Sequence, residues 1–471
     1  MNVAAAVKPT GFKGIVYWIC IVASLGGLLF GLDQGFIANA LPTIQKVYGL
    51  NLSGSEAFSA ILFTGAAIGA FLSGFLARGI GRKGSLLLSG ALFVIMAGWS
   101  AFLPNYEILY WLRFFLGFAI GIASFVVPLY LAEAAPAKIR GSMGTLFQLM
   151  ITIGIFGISL TNVIFIKLIS SHVERLPLMF LVIVLFALIM FIGGIFIPES
   201  PRWYMLKGKK DKAINVLKKI LNSQEEVDFE IKEMEEVLGL GAGKKSGTVF
   251  TKTFLKVVLV GAFMMIFQQL VGINVMIYYA PRIFGYAGIT GIIAMMTVPV
   301  VNLLFTFPAI WLVEKWGRKK LLYAGSIIMC VSMFVAAFVF LSIGTPAPGV
   351  AIGGFSKVIL VVAVIVYIFG FAFSWGPVAW LICSEIFPIQ GREVGMTITT
   401  MINWFWGGIV IAHALTIMKL YGNASLFFIF AFGCILSIVF LYFWVPETRG
   451  VTLEEIEENL RNGKKLKHIG S

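Results

Sequence analysis

Charged residues are scarce in this chain, and negative charge is the scarcest kind. Only 12% of its 471 residues are Asp, Glu, Lys or Arg, whereas 59% are hydrophobic. The mean hydropathy of +0.96 lies far outside the range of soluble globular proteins. The composition therefore excludes a soluble globular protein and indicates an integral membrane protein.

Cysteine is also rare, and its placement argues against metal chemistry. The four cysteines share no metal-binding spacing and all lie within apolar runs, where they are expected to be small core residues: Cys20, Cys330, Cys383 and Cys434. We also find no nucleophile paired with a base in the sequence. We therefore expect neither an enzyme nor a cofactor or metal site.

Long apolar runs dominate what remains. They are continuous rather than alternating, which predicts membrane-spanning helices rather than a barrel. We expect twelve spans, near residues 15–41, 56–77, 84–103, 108–132, 142–168, 176–197, 253–281, 289–313, 320–343, 356–383, 394–418 and 424–445. The predicted fold class is an all-α membrane protein with two pseudo-symmetric six-helix halves, residues 1–197 and 253–446. A helical linker (198–252) separates them and a tail (447–471) follows.

Three short motifs occur twice, in the same order, and support this duplication. Gly-Arg-Lys occurs at 81–83 and 317–319, Glu-x-x-Pro-x-x-x-Arg at 133–140 and 385–392, and Pro-Glu at 198–199 and 446–447. Ordered repeats at nearly one offset indicate two homologous halves. Parallel repeats of membrane helices are typical of secondary transporters, which hold their substrate between the halves.

The basic residues favour one side of the predicted topology. Most of the 36 Lys and Arg fall in the termini and in alternate loops. Only six fall in the opposite loops: Lys46, Lys167, Arg175, Arg282, Lys357 and Lys419. By the positive-inside rule, both termini and the linker are cytoplasmic. The net charge of +14 is then expected to face anionic lipid headgroups rather than nucleic acid.

One carboxylate is predicted to lie deep in the membrane. The chain has three aspartates, and only Asp33 lies within a span. A carboxylate at that depth costs about 2.5 to 3.5 kcal/mol or more, so it needs a partner or a water-filled cavity. Arg113 in span 4 is the expected partner. The pair is either a static ion pair or a proton site, and His413 in span 11 is a rival proton carrier, although a lone intramembrane histidine is more often neutral.

Amide side chains also concentrate within the spans. Gln268 and Gln269 lie in span 7, before Tyr278, and further amides lie at Gln148, Asn302 and Asn403. A single amide in a span usually joins two helices. Several amides together, beside glycines that loosen the helix, are more typical of a cavity lining.

Such a lining favours a particular kind of substrate. Amides donate and accept hydrogen bonds together, which suits hydroxyl groups, and we find no second intramembrane cation to hold an anion. Phe30, Trp380 and Trp404 offer flat faces to the C–H side of a sugar ring, or are ordinary core residues. The pattern favours a neutral polyol.

With these residues assembled, the chain resembles the sugar porter family of the major facilitator superfamily along nearly its full length. The shared strings are FGLDQG at 30–35, PLYLAEAAPAKIRG at 128–141, PESPRW at 198–203, QQLVGINVMIYYAP at 268–281, GPVAW at 376–380, SEIFPIQGR at 384–392 and PETRG at 446–450. R-x-x-x-G-x-x-x-G at 113–121 adds a further match. The greatest similarity is to bacterial proton symporters for galactose, arabinose and xylose.

The resemblance implies roles for named residues. Asp33 would carry the proton, with Arg113 as its partner. The implied sugar contacts are Gln148, Gln268, Gln269, Asn274, Asn302, Trp380 and Asn403, with Phe30, Tyr278 and Trp404 as weaker ones. The implied cytoplasmic gate is a salt-bridge network of Arg82, Glu133, Arg140, Glu199, Arg318, Glu385, Arg392 and Glu447. Two residues depart from the family pattern: Arg78 stands where an acid is usual, and Glu314 replaces an aspartate.

These observations predict a proton-coupled importer of one monosaccharide, a hexose such as D-galactose or D-glucose or else a pentose. It is expected to be a monomer in the bacterial cytoplasmic membrane. A sugar uniporter with the same fold is the first alternative, and a non-transporting sugar sensor is the second. The sequence does not distinguish hexose from pentose, because a small change in cavity volume separates them.

Overall fold

The computed structural model describes residues 13–135, 140–238, 252–286, 288–344, 354–388, 391–451 and 453–470. The secondary-structure elements of these residues are helices, and twelve helical segments are long and apolar enough to cross a membrane. The predicted fold class is therefore confirmed.

Each half contributes six spans. In the first half they are α1 (Ile15–Val47), α2 (Leu52–Gly79), α3 (Gly81–Ser100), α4 (Tyr106–Ala134), α5 (Arg140–Leu168) and α6 (His172–Phe196). In the second half they are α10 (Lys252–Leu270) with α11 (Ile273–Tyr286), α12 (Gly291–Trp316), α13 (Arg318–Ile343), α14 (Gly354–Ala372) with α15 (Trp375–Glu385), α16 (Arg392–Tyr421) and α17 (Asn423–Phe443).

The shorter helices lie outside the spans. Between the halves are α7 (Pro201–Leu206), α8 (Lys210–Ile220) and α9 (Gln224–Leu238), and after α17 come α18 (Leu453–Arg461) and a 3-10 turn (Leu466–His468). The linker packs on the start of α1, where the backbone N–H of Lys13 donates to the carbonyl of Ile220 at 2.9 Å. We call the end of the bundle that carries the linker, Arg82 and Arg318 the basic face. The other end, which carries Asn51 and Asn105, is the opposite face.

Short loops at the opposite face are closed by side-chain caps. Asn51 accepts from the N–H of Gly54 at 2.7 Å and begins α2, and Asn105 accepts from the N–H of Ile108 at 3.0 Å and begins α4. These bonds satisfy N–H groups that the first helical turn leaves without a partner. The turns that reverse the chain are therefore fixed locally.

Two spans are broken in the second half. Between α10 and α11, Gly272 has φ +95°, a conformation that few residues other than glycine adopt. Between α14 and α15 the helix stops at Phe373 and Ser374. The breaks release carbonyl groups from helical bonding, and Val271 O then accepts from the Tyr367 hydroxyl at 2.8 Å. Both breaks face the centre of the molecule.

Glycines let helices within the first half approach one another closely. A Cβ placed on Gly117 would lie 2.0 Å from the carbonyl oxygen of Leu62, and one on Gly121 would lie 2.1 Å from that of Ala66. This contact between α4 and α2 gives a physical reason for the R-x-x-x-G-x-x-x-G spacing. Small residues at such crossings are a general feature of membrane helix packing.

Replacing Gly121 by Ala should therefore destabilise the protein. The added methyl must push α4 away from α2, which we expect to cost about 1 to 3 kcal/mol. We expect a lower apparent melting temperature in detergent, measured by fluorescence-detected size exclusion after heating. Gly157→Ala in α5 is the matched control, because no atom lies within 4 Å of its new Cβ. Equal melting temperatures for the two variants would contradict the packing argument.

Candidate functional site

A cavity lies between the two halves, beside both helix breaks. It is lined by Phe30, Gln34, Gln148, Ile151, Ile155, Gln268, Gln269, Ile273, Asn274, Ile277, Asn302, Phe371, Trp380, Asn403 and Trp404. The first half contributes α1 and α5, and the second half contributes α10, α11, α12, α14, α15 and α16. Every residue predicted to contact sugar lies on this lining, with the exception of Tyr278.

Five of the seven amides that line the cavity form one hydrogen-bonded chain. Gln34 Nε2 donates to Asn274 Oδ1 at 2.9 Å, and Asn274 donates to Gln269 Oε1 at 2.5 Å. Gln269 donates to Asn403 Oδ1 at 3.1 Å, and Asn403 donates to Gln268 Oε1 at 2.6 Å. The chain joins the two halves, because Gln34 belongs to α1 and the other amides belong to the second half.

The chain ends at a helix break. Gln268 Nε2 donates to the carbonyl of Trp375 at 3.0 Å, at the start of α15. Asn302 stands apart from the chain: its Oδ1 is buried and has no hydrogen-bond partner among the described residues. A buried acceptor of this kind is costly unless a donor reaches it. The lining therefore offers both exchangeable amide bonds and one acceptor that needs a donor.

The aromatic residues of the cavity differ in how much ring surface they present. Trp404 is almost fully buried, its ring packs on Phe30 at 4.8 Å and on Phe63 at 5.5 Å, and its Nε1 donates to Ser124 Oγ at 3.2 Å. Trp380 is only partly buried and meets Phe147 edge to face at 6.1 Å. Trp380 is therefore the indole with more free surface in the cavity.

Asp33 and Arg113 lie together in the first half. The Asp33 side chain is completely buried, and Arg113 donates to its two oxygens at 3.2 and 3.4 Å. Arg113 Nε also donates to the carbonyl of Phe58 at 3.2 Å, and its guanidinium lies 5.3 Å from the Phe58 ring centre. Bonds between charged groups are usually nearer 2.8 Å, so the two side chains are held loosely.

Two residues near this pair were assigned differently or missed by the sequence analysis. Tyr278 of α11 is buried, and its hydroxyl lies beside Arg113 and Asp33 rather than in the cavity lining. Gln34 immediately follows Asp33 and starts the amide chain. It is an amide within span 1, as Gln148 is in span 5, but its partner Asn274 is 240 residues away.

His413 lies away from both sites. Its side chain is exposed on the surface of α16, and its Nδ1 is 2.9 Å from the carbonyl of Ile409 in the same helix. It neither lines the cavity nor contacts Asp33. Among the described residues, no group of three metal-ligating side chains is close enough to hold a metal ion.

Two similar charged clusters lie at the basic face, one in each half. In the first, Arg82 donates to both oxygens of Glu133 at 2.8 and 2.9 Å. In the second, Arg318 donates to Glu385 at 3.0 Å. The repeated Pro-Glu motif supplies another carboxylate to each cluster, Glu199 in the first half and Glu447 in the second.

Glycine conformation explains why the Gly-Arg-Lys and Pro-Glu motifs occur together. Glu199 accepts from the backbone N–H groups of Arg82, Lys83 and Ser200 at 2.8 to 3.2 Å. Gly81 has φ +89°, and a Cβ there would lie 2.0 Å from the Glu199 carboxylate. Burial raises the pKa of Glu199, while these three N–H groups and Arg82 offset part of that rise.

The second cluster repeats this arrangement. Glu447 accepts from the N–H groups of Arg318, Lys319 and Arg449 at 2.9 to 3.0 Å, and Gly317 has φ +94°. The duplication seen in the sequence is therefore also a duplication of backbone geometry.

Arg78 and Glu314, the two departures from the family pattern, occupy equivalent positions in the repeat. They differ in whether their ion-pair partner lies in the same half. Glu314 pairs with Arg318 of its own half at 3.2 Å. Arg78 pairs with Glu393 of α16 at 2.5 Å, and Glu393 also contacts Arg82 at 2.5 Å. The second half thus supplies the acid that the first half lacks, and nothing in the repeated motifs marks Glu393.

Two predicted gate residues remain. The side chain of Arg140 lies outside the described residues, although its backbone begins α5. Arg392 is buried at the start of α16. The other six lie within the two clusters described above.

Comparisons with known proteins give a consistent result over nearly the whole chain. A family model described as "Sugar (and other) transporter" matches residues 19–460. The galactose-proton symporter of Escherichia coli (strain K12) is 40% identical over 466 residues, covering 98% of this chain and 97% of that protein. The arabinose-proton symporter of the same strain is 35% identical over 480 residues, covering 100% and 99%.

Solved structures give a similar picture. A structure of the proton:xylose symporter XylE bound to 6-bromo-6-deoxy-D-glucose has a TM-score of 0.82 and 29% identity, covering 94% of this chain and 98% of that one. The inward-open conformation of XylE from E. coli has a TM-score of 0.75 at 29% identity, with 94% and 99% covered. The overall shape is therefore more similar to the XylE structure with the bound glucose derivative than to the inward-open structure.

Proposed function

Because this chain belongs to the sugar transporter family, we propose that it imports a monosaccharide together with a proton by alternating access. The observation that carries the proposal is the position of Gln34. This residue follows the buried Asp33 directly and begins the amide chain of the cavity. A change in the Asp33–Arg113 bond would shift α1, and with it the contact between Gln34 and Asn274.

The proton step would take place at Asp33. With the cavity open to the outside, a proton on the carboxylate would remove its charge and weaken the bond to Arg113. Arg113 would keep its bond to the carbonyl of Phe58 and its contact with the Phe58 ring. The pair would therefore separate without leaving the guanidinium alone in the membrane.

The substrate would be a neutral sugar bound by the amide chain. Hydroxyl groups donate and accept, so they can replace the amide-to-amide bonds of Gln268, Gln269 and Asn403 one for one. We favour a hexose, D-galactose or D-glucose, over L-arabinose or D-xylose. The 40% identity to a galactose-proton symporter, against 35% to an arabinose-proton symporter, supports this preference.

Coupling to one proton would allow the sugar to accumulate. An inward membrane potential of 100 mV contributes about 2.3 kcal/mol per charge. That corresponds to an accumulation ratio of about 50-fold, and each pH unit adds a factor of about ten. The positive-inside rule favours a cytoplasmic location for the basic face and for both termini, in a bacterial cytoplasmic membrane.

The two charged clusters would form a gate at the cytoplasmic end. In this proposal the first cluster holds the two halves together through Glu393 until sugar and proton are bound, and the second cluster holds the helix ends of its own half in place. A single exposed ion pair contributes only about 0 to 1 kcal/mol, so the gate would depend on the whole network. Arg82 is buried and has carboxylate partners in both halves, which makes it the centre of the first cluster.

A uniporter with the same fold is the alternative. Among the relatives, a protein of Staphylococcus epidermidis named "Glucose transporter GlcP" is 36% identical over 453 residues, and its name specifies no proton. The buried Asp33–Arg113 pair favours symport, because a charged pair in the membrane is costly and a uniporter has no need of it.

Replacing Asp33 by Asn tests proton coupling. The amide cannot change charge, so we expect proton-driven accumulation of labelled galactose to fall from about 50-fold to about onefold in vesicles with an imposed potential. Sugar exchange without a gradient should continue within a few-fold of the wild type. Uptake of labelled sugar and exchange are both measured in reconstituted liposomes.

Asp211→Asn is the matched control, since Asp211 is an exposed aspartate of the linker. It should accumulate sugar as the wild type does. Full accumulation by the Asp33→Asn variant would reject symport through this residue and favour the uniporter.

Replacing Asn403 by Leu tests the amide chain. The change removes the acceptor of Gln269 and the donor to Gln268, along with any bond to a sugar hydroxyl. We expect the KM for sugar to rise about 10- to 100-fold, because buried polar groups are left unpaired. The accumulation ratio at saturating sugar should remain that of the wild type.

The same change at Asn39 serves as a control. Asn39 lies on α1 outside the cavity lining and bonds within the first half: it donates to the Gly35 carbonyl at 2.7 Å and to the Ser159 hydroxyl at 3.2 Å, and accepts from Asn162 at 3.3 Å. Its replacement by Leu should leave the KM within about threefold. An equal rise in KM for both variants would argue against a sugar site at the amide chain.

A further inference from the structure

Helices α2 and α16 pack along one another across the boundary between the halves, and each end of the pair is joined by a carboxylate. At the opposite face the carboxylate belongs to α2. Glu56 is buried, and its two oxygens accept from the backbone N–H of Thr416 at 2.8 Å and from the Thr416 hydroxyl at 2.6 Å. Both bonds cross from the first half to the second.

At the basic face the direction is reversed, and the carboxylate belongs to α16. Glu393 contacts Arg78 of α2 and Arg82 of α3, each at 2.5 Å. These are the salt bridges that join the two halves among the described residues. The other cluster at this face, built on Arg318, Glu314 and Glu385, lies within the second half alone.

The two junctions lie at opposite ends of the membrane-spanning region. Glu56 and Arg78 are separated by 22 positions of one helix. At 1.5 Å per residue this is about 33 Å, close to the thickness of the hydrocarbon core. One junction therefore lies at each face.

The middle of the helix pair is a close apolar contact. A Cβ on Gly407 would lie 2.8 Å from the Phe63 ring, and Trp404 packs on the same ring at 5.5 Å. Trp404 also lines the cavity. A rocking motion centred at this level would separate one end of the helix pair while keeping the other end together.

The second interface between the halves is different. There α5 packs on α12, and Asn162 Nδ2 lies 3.4 Å from the Met295 sulfur. No salt bridge joins these two helices in the part of the chain that the structure describes. Among the described residues, the salt bridges between the halves, Arg78–Glu393 and Arg82–Glu393, lie on the side formed by α2 and α16.

We infer that Glu56 and Glu393 are reciprocal latches that close opposite ends of the transport path. We call the Glu56–Thr416 contact the outer latch and the contact of Glu393 with Arg78 and Arg82 the inner latch. Opening toward the outside breaks the outer latch, and opening toward the inside breaks the inner latch. This inference rests on the proposed alternating access and adds residues to the gate that the repeat motifs do not mark.

Each latch can open without leaving a buried charge alone. When Glu393 leaves, Arg82 keeps its two bonds to Glu133, and Arg78 is already more than half exposed, with 56% of its side chain accessible. When Glu56 separates from Thr416 it faces the water that enters the opened end. Opening either latch therefore avoids the large free-energy cost of an unpaired buried charge, so the contact can break and re-form in each cycle.

Distances between spin labels test the inference directly. In a cysteine-free background, one pair of labels at Ser53 and Lys419 reports on the opposite face, and a second pair at Lys212 and Lys320 reports on the basic face. All four positions are exposed. Distances are measured by double electron–electron resonance on the full chain in lipid nanodiscs, without sugar and at one pH.

The two latch variants should act in opposite directions. Glu56→Ala should raise the ratio of open to closed distances at the opposite face about fivefold or more and leave the basic face closed. Glu393→Gln should do the reverse. Thr416→Val should shift the opposite face in the same direction as Glu56→Ala, and the double variant should add little to either, because both changes remove one contact.

Two carboxylates serve as matched controls. Glu235→Gln removes a bond to Lys210 within the linker, and Glu107→Gln removes an exposed charge at the opposite face. Neither should move a distance. The inference is overturned when Glu56→Ala and Glu393→Gln shift the same face, or when neither shifts more than the controls in samples that remain monodisperse.

The outcome is independent of proton coupling. Failure of the wild type to take up sugar in response to a pH gradient would reject the proposed symport. The latch inference is rejected only by the distances, because they are recorded without sugar or gradient.

Discussion

A polar group that is buried in a membrane must find its partner within the protein, and the architecture of the transport path follows from that requirement. The break in span seven releases the carbonyl of Val271, to which the Tyr367 hydroxyl donates, and Gln268 donates to the carbonyl of Trp375 beside the break in span ten. Gln268 is in turn bonded to Asn403, and the chain of amides continues to Gln34. The amides predicted to bind sugar are therefore also the groups that stabilise the broken helices, so binding and helix geometry are linked through the same bonds.

Duplication accounts for most of the charged residues in the two clusters at the basic face, and Glu393 is the exception. Gly81 and Gly317 each adopt a positive φ that lets a carboxylate approach the start of the next helix. Where the second half has Glu314, the first half has Arg78, and its partner Glu393 comes from α16. An ion pair within one half can stay closed throughout a cycle, whereas a pair between halves must break when they separate. A base in place of an acid at one position of the repeat thus places one of the two equivalent contacts between the halves and leaves the other within one half.

The sequence predicted those features that depend on spacing along a single helix or on the cost of burial. Twelve spans followed from apolar length, and the partner of Asp33 followed from the scarcity of intramembrane charge. The concentration of amides within the spans, Gln268 and Gln269 among them, predicted a cavity lining. The partners of Gln34, Glu56 and Glu393 lie between 240 and 360 residues away. No local sequence pattern predicts contacts between residues so far apart in the chain. The packing of Trp404 against Phe30 and Phe63 could not be predicted for the same reason.

A cavity whose amides are already bonded to one another suits a transporter better than a receptor. A sugar that replaces these bonds gains only the difference between two similar hydrogen bonds, about 1 kcal/mol or less for each. Binding is then weak enough for release on the other side, as conduction through a membrane path requires. Discrimination need not be weak, because a sugar that lacks one hydroxyl leaves an amide or the Asn302 oxygen without a partner. A buried polar group without a partner costs more free energy than a hydrogen-bonded one gains. Such a lining can therefore release its sugar readily and still discriminate against sugars that lack a hydroxyl.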